Sequence, residues 1–415
     1  MPNTVHIIGA GLAGLSAAVR SIERGARVHV HEATAQAGGR CRSYHDLTIG
    51  MTIDNGNHLL LSGNRAALAY LDTIGARDLL IGPGSASVPF FDLPSGQRWT
   101  LRANDGLLPW WIFDPSRRVP GTRPLDYLSL LKLMRAAPGA TVGDAMNCSG
   151  ALYERLVGPF LLAALNIDPP QGSAALAAAV VRETLLAGGR NYHPLIARDG
   201  LSSAFVDPGL SYIERRGGSV AFERQLRGLV IDGGRVAALD FGADQVALGP
   251  DDAAILAVPP WAAASLLPGL QVPNAFHAIV NAHFKIEPPP GLPPVTGAIG
   301  GTVEWLFAFR GRLSVTISAA DRLIDVPRDE LAATIWRDVA RIAGIADALP
   351  PWQIVRERRA TFAATPQQDA RRPGTATAYA NAALAGDWTA TGLPATIEGS
   401  IRSGQHAAEL IAGRK

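Results

Sequence analysis

The glycine pattern Gly9-x-Gly11-x-x-Gly14 constrains this chain more than any other feature. The apolar run from Val5 to Ile8 leads into it and reads as a buried strand. After it, Leu12, Leu15, Val19 and Ile22 recur three or four apart, so one face of a helix is apolar until Gly25 ends it. Residues 27–32 then read as a second strand. In such a strand-turn-helix-strand unit Gly9 permits the tight turn, Gly11 lets a pyrophosphate approach the backbone and Gly14 lets the helix lie against the strand. Glu32 is placed to accept hydrogen bonds from both hydroxyls of an adenosine ribose, and phosphates suit the positive end of the helix dipole. The unit therefore predicts a dinucleotide site, with Leu12, Ala13 and Ala33 among its contacts.

At 415 residues, 47% of them hydrophobic, the chain can fill two substantial cores, and a formal net charge of +2 gives no reason to expect nucleic acid as a partner. Two cysteines, Cys41 and Cys148, are too few for a disulfide framework and suggest a reducing compartment. Residues 1–4 run straight into the first strand, so no signal peptide is expected, and the apolar run 174–181 falls short of a membrane span. A cytoplasmic protein follows, touching a membrane only from the inner surface. No Ser-His-Asp set and no metal-ligand spacing stand out.

A second glycine motif, Gly38-Gly39-Arg40, follows Glu32, where paired glycines admit the pyrophosphate and a forked guanidinium can meet its oxygens. It resembles the Gly-Gly-Arg motif of the flavin amine oxidase and carotenoid desaturase superfamily. That resemblance implies noncovalent FAD and an α/β fold: a Rossmann-like FAD-binding domain of the GR2/amine-oxidase type, with a substrate domain of antiparallel sheet plus helices. Gly386-Asp387 and the helical segment after Thr396 match the superfamily's C-terminal block. There the aspartate holds ribitol or phosphate and the last helix points at the flavin N1–C2 region, which assigns Asp387, Ile397 and Glu398. Gly399 and Gly404 each cost a helix interior roughly 1 kcal/mol and suggest that something bulky comes close. By the same resemblance Leu226 lies against the adenine and Val258 ends a strand passing the cofactor, although either residue could equally be core.

The phrases Gly-Gly-Arg-Cys-Arg-Ser-Tyr from Gly38, Asp-Asn-Gly-Asn-His-Leu-Leu-Leu-Ser-Gly-Asn from Asp54 and Ala-Gly-Asp-Trp-Thr from Ala385 are closest to one branch, the hydroxysqualene dehydroxylases. Membership there implies reduction of the long-chain isoprenoid hydroxysqualene to squalene, in hopanoid or sterol precursor biosynthesis. Reduced FAD would be the hydride donor, and the electron donor that reloads it is unidentified. Asn55, Gly56 and Asn57 join the cofactor contacts. A carotenoid or phytoene-type desaturase, an amine oxidase, and a prenyl-lipid carrier of the GDP-dissociation-inhibitor type remain alternatives.

The cofactor domain is expected to be discontinuous, over 1–75, 195–262 and 376–415, leaving 76–194 and 263–375 for the substrate. Two residues are candidates to protonate the departing hydroxyl. One is His58, since a histidine titrates near neutrality, and the other is Asp54, which could instead satisfy backbone N–H groups in a turn. Trp110, Trp111 and Phe113 beside Arg117 and Arg118 suggest peripheral contact with anionic lipid.

Overall fold

A computed structural model describes residues 2–413; Met1 and residues 414–415, the outer ends of the expected cofactor segments, lie outside the described residues. The strand Thr4–Ile8 runs into the helix Leu12–Glu23 and returns as Arg27–His31, as the glycine spacing predicts. These strands form the centre of a five-stranded parallel sheet ordered Ser219–Ala221, Arg27–His31, Thr4–Ile8, Asp252–Leu256, Ala382–Leu384. Val5, Ile7, Val28, Val30 and Ile255 turn toward the helices on one face, whereas Ile8, Ala254 and Leu256 on the other pack with Phe241 and with Val236 and Leu239 of a small three-stranded sheet.

The last helix, Ile397–Gly413, packs along the first one. A Cβ on Gly404 would sit 2.1 Å from the Ala13 carbonyl oxygen, so this glycine exists for close helix contact. The bulky neighbour that Gly404 anticipates is therefore the first helix. The Ser16 hydroxyl donates to the Ile401 carbonyl at 2.9 Å and fastens the same seam.

A seven-stranded sheet forms the other half, ordered Trp352–Phe362, Phe276–Lys285, Arg312–Ile317, Trp305–Phe309, Val295–Ile299, Ser87–Asp92, Arg98–Arg102. It is mixed rather than purely antiparallel, since Val295–Ile299 and Ser87–Asp92 run parallel. Strands from two distant stretches meet there, and no hairpin constrains their direction. One face packs under the amphipathic helix Arg328–Ala343 through Leu331, Ile335 and Trp336. The other turns Phe90, Trp305 and Phe307 toward the helices Gly158–Leu165 and Ala174–Glu183. A π-turn at Tyr153–Val157 precedes Pro159, which has no N–H to donate and so disturbs the regular helical ladder.

Candidate functional site

The loops from the two ends of the chain meet at the mouth of the parallel sheet. Gly11 and Gly38 form a β-bridge, and the Gly38 N–H donates to the Ala10 carbonyl at 2.8 Å. A Cβ on Gly39 would lie 3.5 Å from the Gly11 Cα, whereas one on Gly11 would meet nothing within 4 Å. Gly11 therefore faces open space at a helix start that carries no side-chain cap. Uncapped N–H groups with room before them are what a pyrophosphate needs, so the residues present fit a dinucleotide. Gly9 and Gly14 are structural: a Cβ would strike the Ala257 oxygen at 2.5 Å or the Gly9 oxygen at 1.8 Å.

Glu32 ends the second strand and is already held. Its carboxylate accepts from the Ala10 N–H at 2.8 Å, the Thr34 N–H at 2.9 Å and the Thr34 hydroxyl at 2.8 Å. A carboxylate has about four acceptor positions, so room remains for one ribose hydroxyl, and for two if Thr34 turns its proton to the Gln36 carbonyl at 2.8 Å. Ala33 beside it is exposed. Leu226 is buried two residues from Arg224, whose N–H donates to the Glu32 carbonyl.

Arg40 and Asp387 bind each other. The guanidinium donates to the Asp387 carboxylate at 2.6 Å and also reaches the Ala360 carbonyl on the large sheet. Asp387 is almost covered, while 45% of the Arg40 side chain stays accessible although protein surrounds it. Such a side chain lines an internal space. Arg372, missed from sequence, is buried and donates to the main-chain carbonyls of Asp387 and Thr389, so it pins the loop that carries Asp387. Trp388, also missed, lies over Gly386 and donates to the Val258 carbonyl at 2.9 Å. The tryptophan of Ala-Gly-Asp-Trp-Thr thereby ties the C-terminal loop to the strand end at Val258.

Thr396 caps the last helix, accepting from the Gly399 N–H at 3.0 Å. Glu398 does not turn back to its own helix. Its two oxygens accept from the N–H groups of Ala66 and Ala67 at 3.0 and 2.9 Å, capping the helix Arg65–Ile74, and Arg402 pairs with it at 2.9 Å. Only the main chain of Ile397 and Glu398 is left to face a cofactor.

The two expected proton donors sit in different surroundings. Asp54 is 2% exposed and accepts from the Ser43 hydroxyl at 2.7 Å, the Leu201 N–H at 2.8 Å and Arg312 at 3.1 Å. These partners tie together the strand of Asp54, the Ser43 strand, the Leu201 turn and the large sheet, the turn-holding place that its sequence position also allowed. His58 is pushed down to about 4 by burial, with Asp54 opposing and Arg40 adding to the shift. It is therefore neutral at pH 7, without the cationic fraction that its ordinary value would leave. Asn57 completes the turn: its side-chain amide donates to the Val315 carbonyl at 3.1 Å and the Thr316 hydroxyl at 3.2 Å, while its buried Oδ1 has no partner. Asn281 spans the same turn, accepting from the Asn57 N–H and donating to the Asn55 carbonyl, each at 3.3 Å, and it lies under Gly56. Cys41 is buried and burial pushes its thiol up, which makes it a poor nucleophile toward a flavin.

The aromatic segment is also divided. Trp110 and Phe113 are exposed, but Trp111 is 6% exposed and packs edge-on against Tyr127, so it belongs to the core. Among the described residues no helix is long and apolar enough to cross a membrane.

Residues 12–412 match the model of a family described as flavin containing amine oxidoreductase. The chain is 61% identical to a hydroxysqualene dehydroxylase of Rhodopseudomonas palustris, with the full length of both covered. It is 58% identical to a protein of that name from Sinorhizobium fredii, over 99% of this chain and 98% of the relative. Among solved structures, cyclohexylamine oxidase from Brevibacterium oxydans superposes with a TM-score of 0.71 over 99% of each chain, at 19% identity, a likeness of fold alone.

Proposed function

The chain belongs to the flavin-containing amine oxidoreductase family, and on that premise we propose that it is an FAD-dependent oxidoreductase that reduces hydroxysqualene to squalene. The observation that carries the substrate is the 61% identity across the whole of both chains, including the middle that must hold it. The meeting of Gly11, Gly38–Arg40 and Asp387 around one open space supports the cofactor. The division of labour follows the same lines: the parallel sheet and the loops at 9–14, 38–40 and 386–398 hold FAD, and the large sheet with the helices at 158–183 walls the substrate.

When bound, FAD supplies the hydride. The chain's own residues do the rest. The helix start at Gly11–Ala13 binds phosphate, and Arg40, released in part from Asp387, can share its second face with a phosphate oxygen. The apolar wall of Phe90, Trp305 and Phe307 excludes water from the carbon that loses its hydroxyl. His58 is the remaining side chain on the 54–58 turn able to meet that hydroxyl. As a neutral imidazole it donates one N–H and orients the oxygen; an anion bound beside it raises its proton affinity and makes it an acid.

Anaerobic mixing of the photoreduced protein with hydroxysqualene tests this reading. Stoichiometric flavin reoxidation with squalene as product is expected. Reoxidation by phytoene-like polyenes only, or by neither, rejects it, and a purified protein that neither contains nor takes up flavin would favour a lipid carrier.

A second reading has its own observation. Leu107, Leu108, Trp110, Phe113, Leu125 and Leu128 are each more than half exposed, with Arg117 stacked on the Trp110 ring at 4.5 Å. Exposed apolar side chains interleaved with arginines suit an anionic bilayer surface. Peripheral docking through this face predicts that Trp110→Ser with Phe113→Ser loses most co-sedimentation with anionic vesicles, and equal binding ends the idea.

A further inference from the structure

A cleft of about 200 Å³ opens between the strand Ser87–Asp92, the edge strand Arg98–Arg102 and the strand Pro194–Ala197. Its floor is made by Ile81, Val88, Ile196 and Val295. These belong to the same apolar cluster as Leu59 and Leu61, which flank the turn carrying His58. Five of the lining residues are prolines, whose fixed φ presets the walls so that little ordering is lost when a flexible chain enters. Arg102 is the one charged residue along it and lies exposed. Its carbonyl accepts from the Arg117 guanidinium at 2.9 Å, and that same guanidinium lies on the Trp110 ring. One end of the cleft therefore adjoins the exposed apolar face, and the strand Pro194–Ala197 along its side pairs with Leu60 and Leu61, just beyond His58.

We propose that this cleft binds one hydrocarbon arm of a long isoprenoid and is the side by which that arm enters from a lipid surface. The identity of the hydrocarbon rests on the dehydroxylase reading. Hydroxysqualene carries its hydroxyl near the middle of the chain, so placing that carbon beside His58 leaves two long arms to be housed. An arm is apolar along its length and has no group for a polar pocket to recognise; it selects a lining such as this one, with no buried charge to desolvate. Arg102 at the rim holds phosphate headgroups back while the hydrocarbon passes.

Two measurements on the flavin-loaded protein test the assignment. In a Cys148→Ser background, Thr100→Cys places a thiol in the cleft, and its maleimide labelling is timed in detergent micelles with and without squalene. Squalene should slow labelling by roughly fivefold or more at saturation, because a bound ligand blocks the site in proportion to its occupancy. An unchanged rate in a protein that still turns over hydroxysqualene overturns the proposal, whereas protection in a protein with no dehydroxylation would sink the activity and keep the cleft. Thr100→Trp, which fills the cleft from an edge strand, should lower kcat/KM for hydroxysqualene about tenfold, mainly through KM, and leave a truncated allylic alcohol within about twofold. Equal effects on both alcohols would also overturn it.

Discussion

Two arginine–carboxylate pairs lie where the parallel sheet region meets the large sheet, and they differ in what surrounds them. Arg312 and Asp54 are 6% and 3% exposed in their side chains, with the Ser43 hydroxyl and the Leu201 N–H closing the remaining directions. Arg40 and Asp387 are 45% and 7% exposed and border open space. Burial closes the sealed pair to any ligand. The open pair keeps nearly half of the arginine side chain accessible. Ion pairing alone does not mark a site; the accessibility of one partner does.

The sharpest way to break this contrast is to remove Arg312. Arg312→Leu leaves the Asp54 carboxylate buried without its counter-charge and should cost about 3–5 kcal/mol of folding stability, read from chemical denaturation. A loss near zero would mean that water reaches Asp54 and that the two pairs are alike. Histidines beside the two pairs give the next largest effect. Burial pushes His283, behind the sealed pair, down to about 3, with Arg312 adding and Asp54 opposing, and His58, on the open side, down to about 4. Both folded values lie below the unfolded one near 6.5, so the unfolded chain binds more protons as pH falls. Their contribution is intact above pH 6.5 and is lost on acidification toward those values. His283→Asn, which can keep the 2.8 Å bond to the Ser314 hydroxyl, should reduce the loss of stability between pH 6.5 and 4 by on the order of 2 kcal/mol. Flavin loading should change the acid limb of the His58→Gln variant relative to wild type and leave that of His283→Asn unaffected.

Arg40→Ala probes the open side. It removes one charge-assisted bond from each potential partner and should weaken flavin binding by roughly tenfold, about 1.4 kcal/mol, in apoprotein titrations. The apoprotein should unfold within about 0.5 kcal/mol of wild type, since a half-accessible ion pair contributes little to folding. A large loss of stability with unchanged flavin affinity would reverse the roles assigned to the two pairs.

How much of this was legible before the coordinates depends on what sets each feature. The glycine turns are fixed locally: Gly9 has φ +104°, Gly38 has φ +101°, and both motifs read correctly as loops at strand ends. The convergence of residues 38–40 with 386–387 was legible only through resemblance, since no local pattern reports contact across more than three hundred positions. The surroundings of Asp54 and His58 are not legible in the sequence, for one physical reason. Residue type says nothing of neighbours: the bonds that Asp54 makes and the burial that holds His58 neutral come from Arg312, Leu201 and the sheet behind them. Trp111 illustrates the same limit, because an aromatic pair beside arginines does not say which ring faces out.

Glu398 makes the smallest and most discriminating case. Its position in the first turn of the last helix, matched to a flavin-contacting segment, invited a cofactor role, yet its side chain caps a different helix. Capping by a carboxylate contributes about 1 kcal/mol, and the dipole of the Arg65–Ile74 helix adds a few tenths. Glu398→Gln keeps one oxygen for Ala66 or Ala67 and loses the charge and the pairing with Arg402, so stability should fall by about 1 kcal/mol. Flavin affinity and the flavin reduction potential should stay at their wild-type values, because the Glu398 carboxylate is taken up by Ala66, Ala67 and Arg402. A potential shifted with stability unchanged would return the carboxylate to the site. It would also mean that the helix start at Arg65 is capped by some other group when the cofactor is in place.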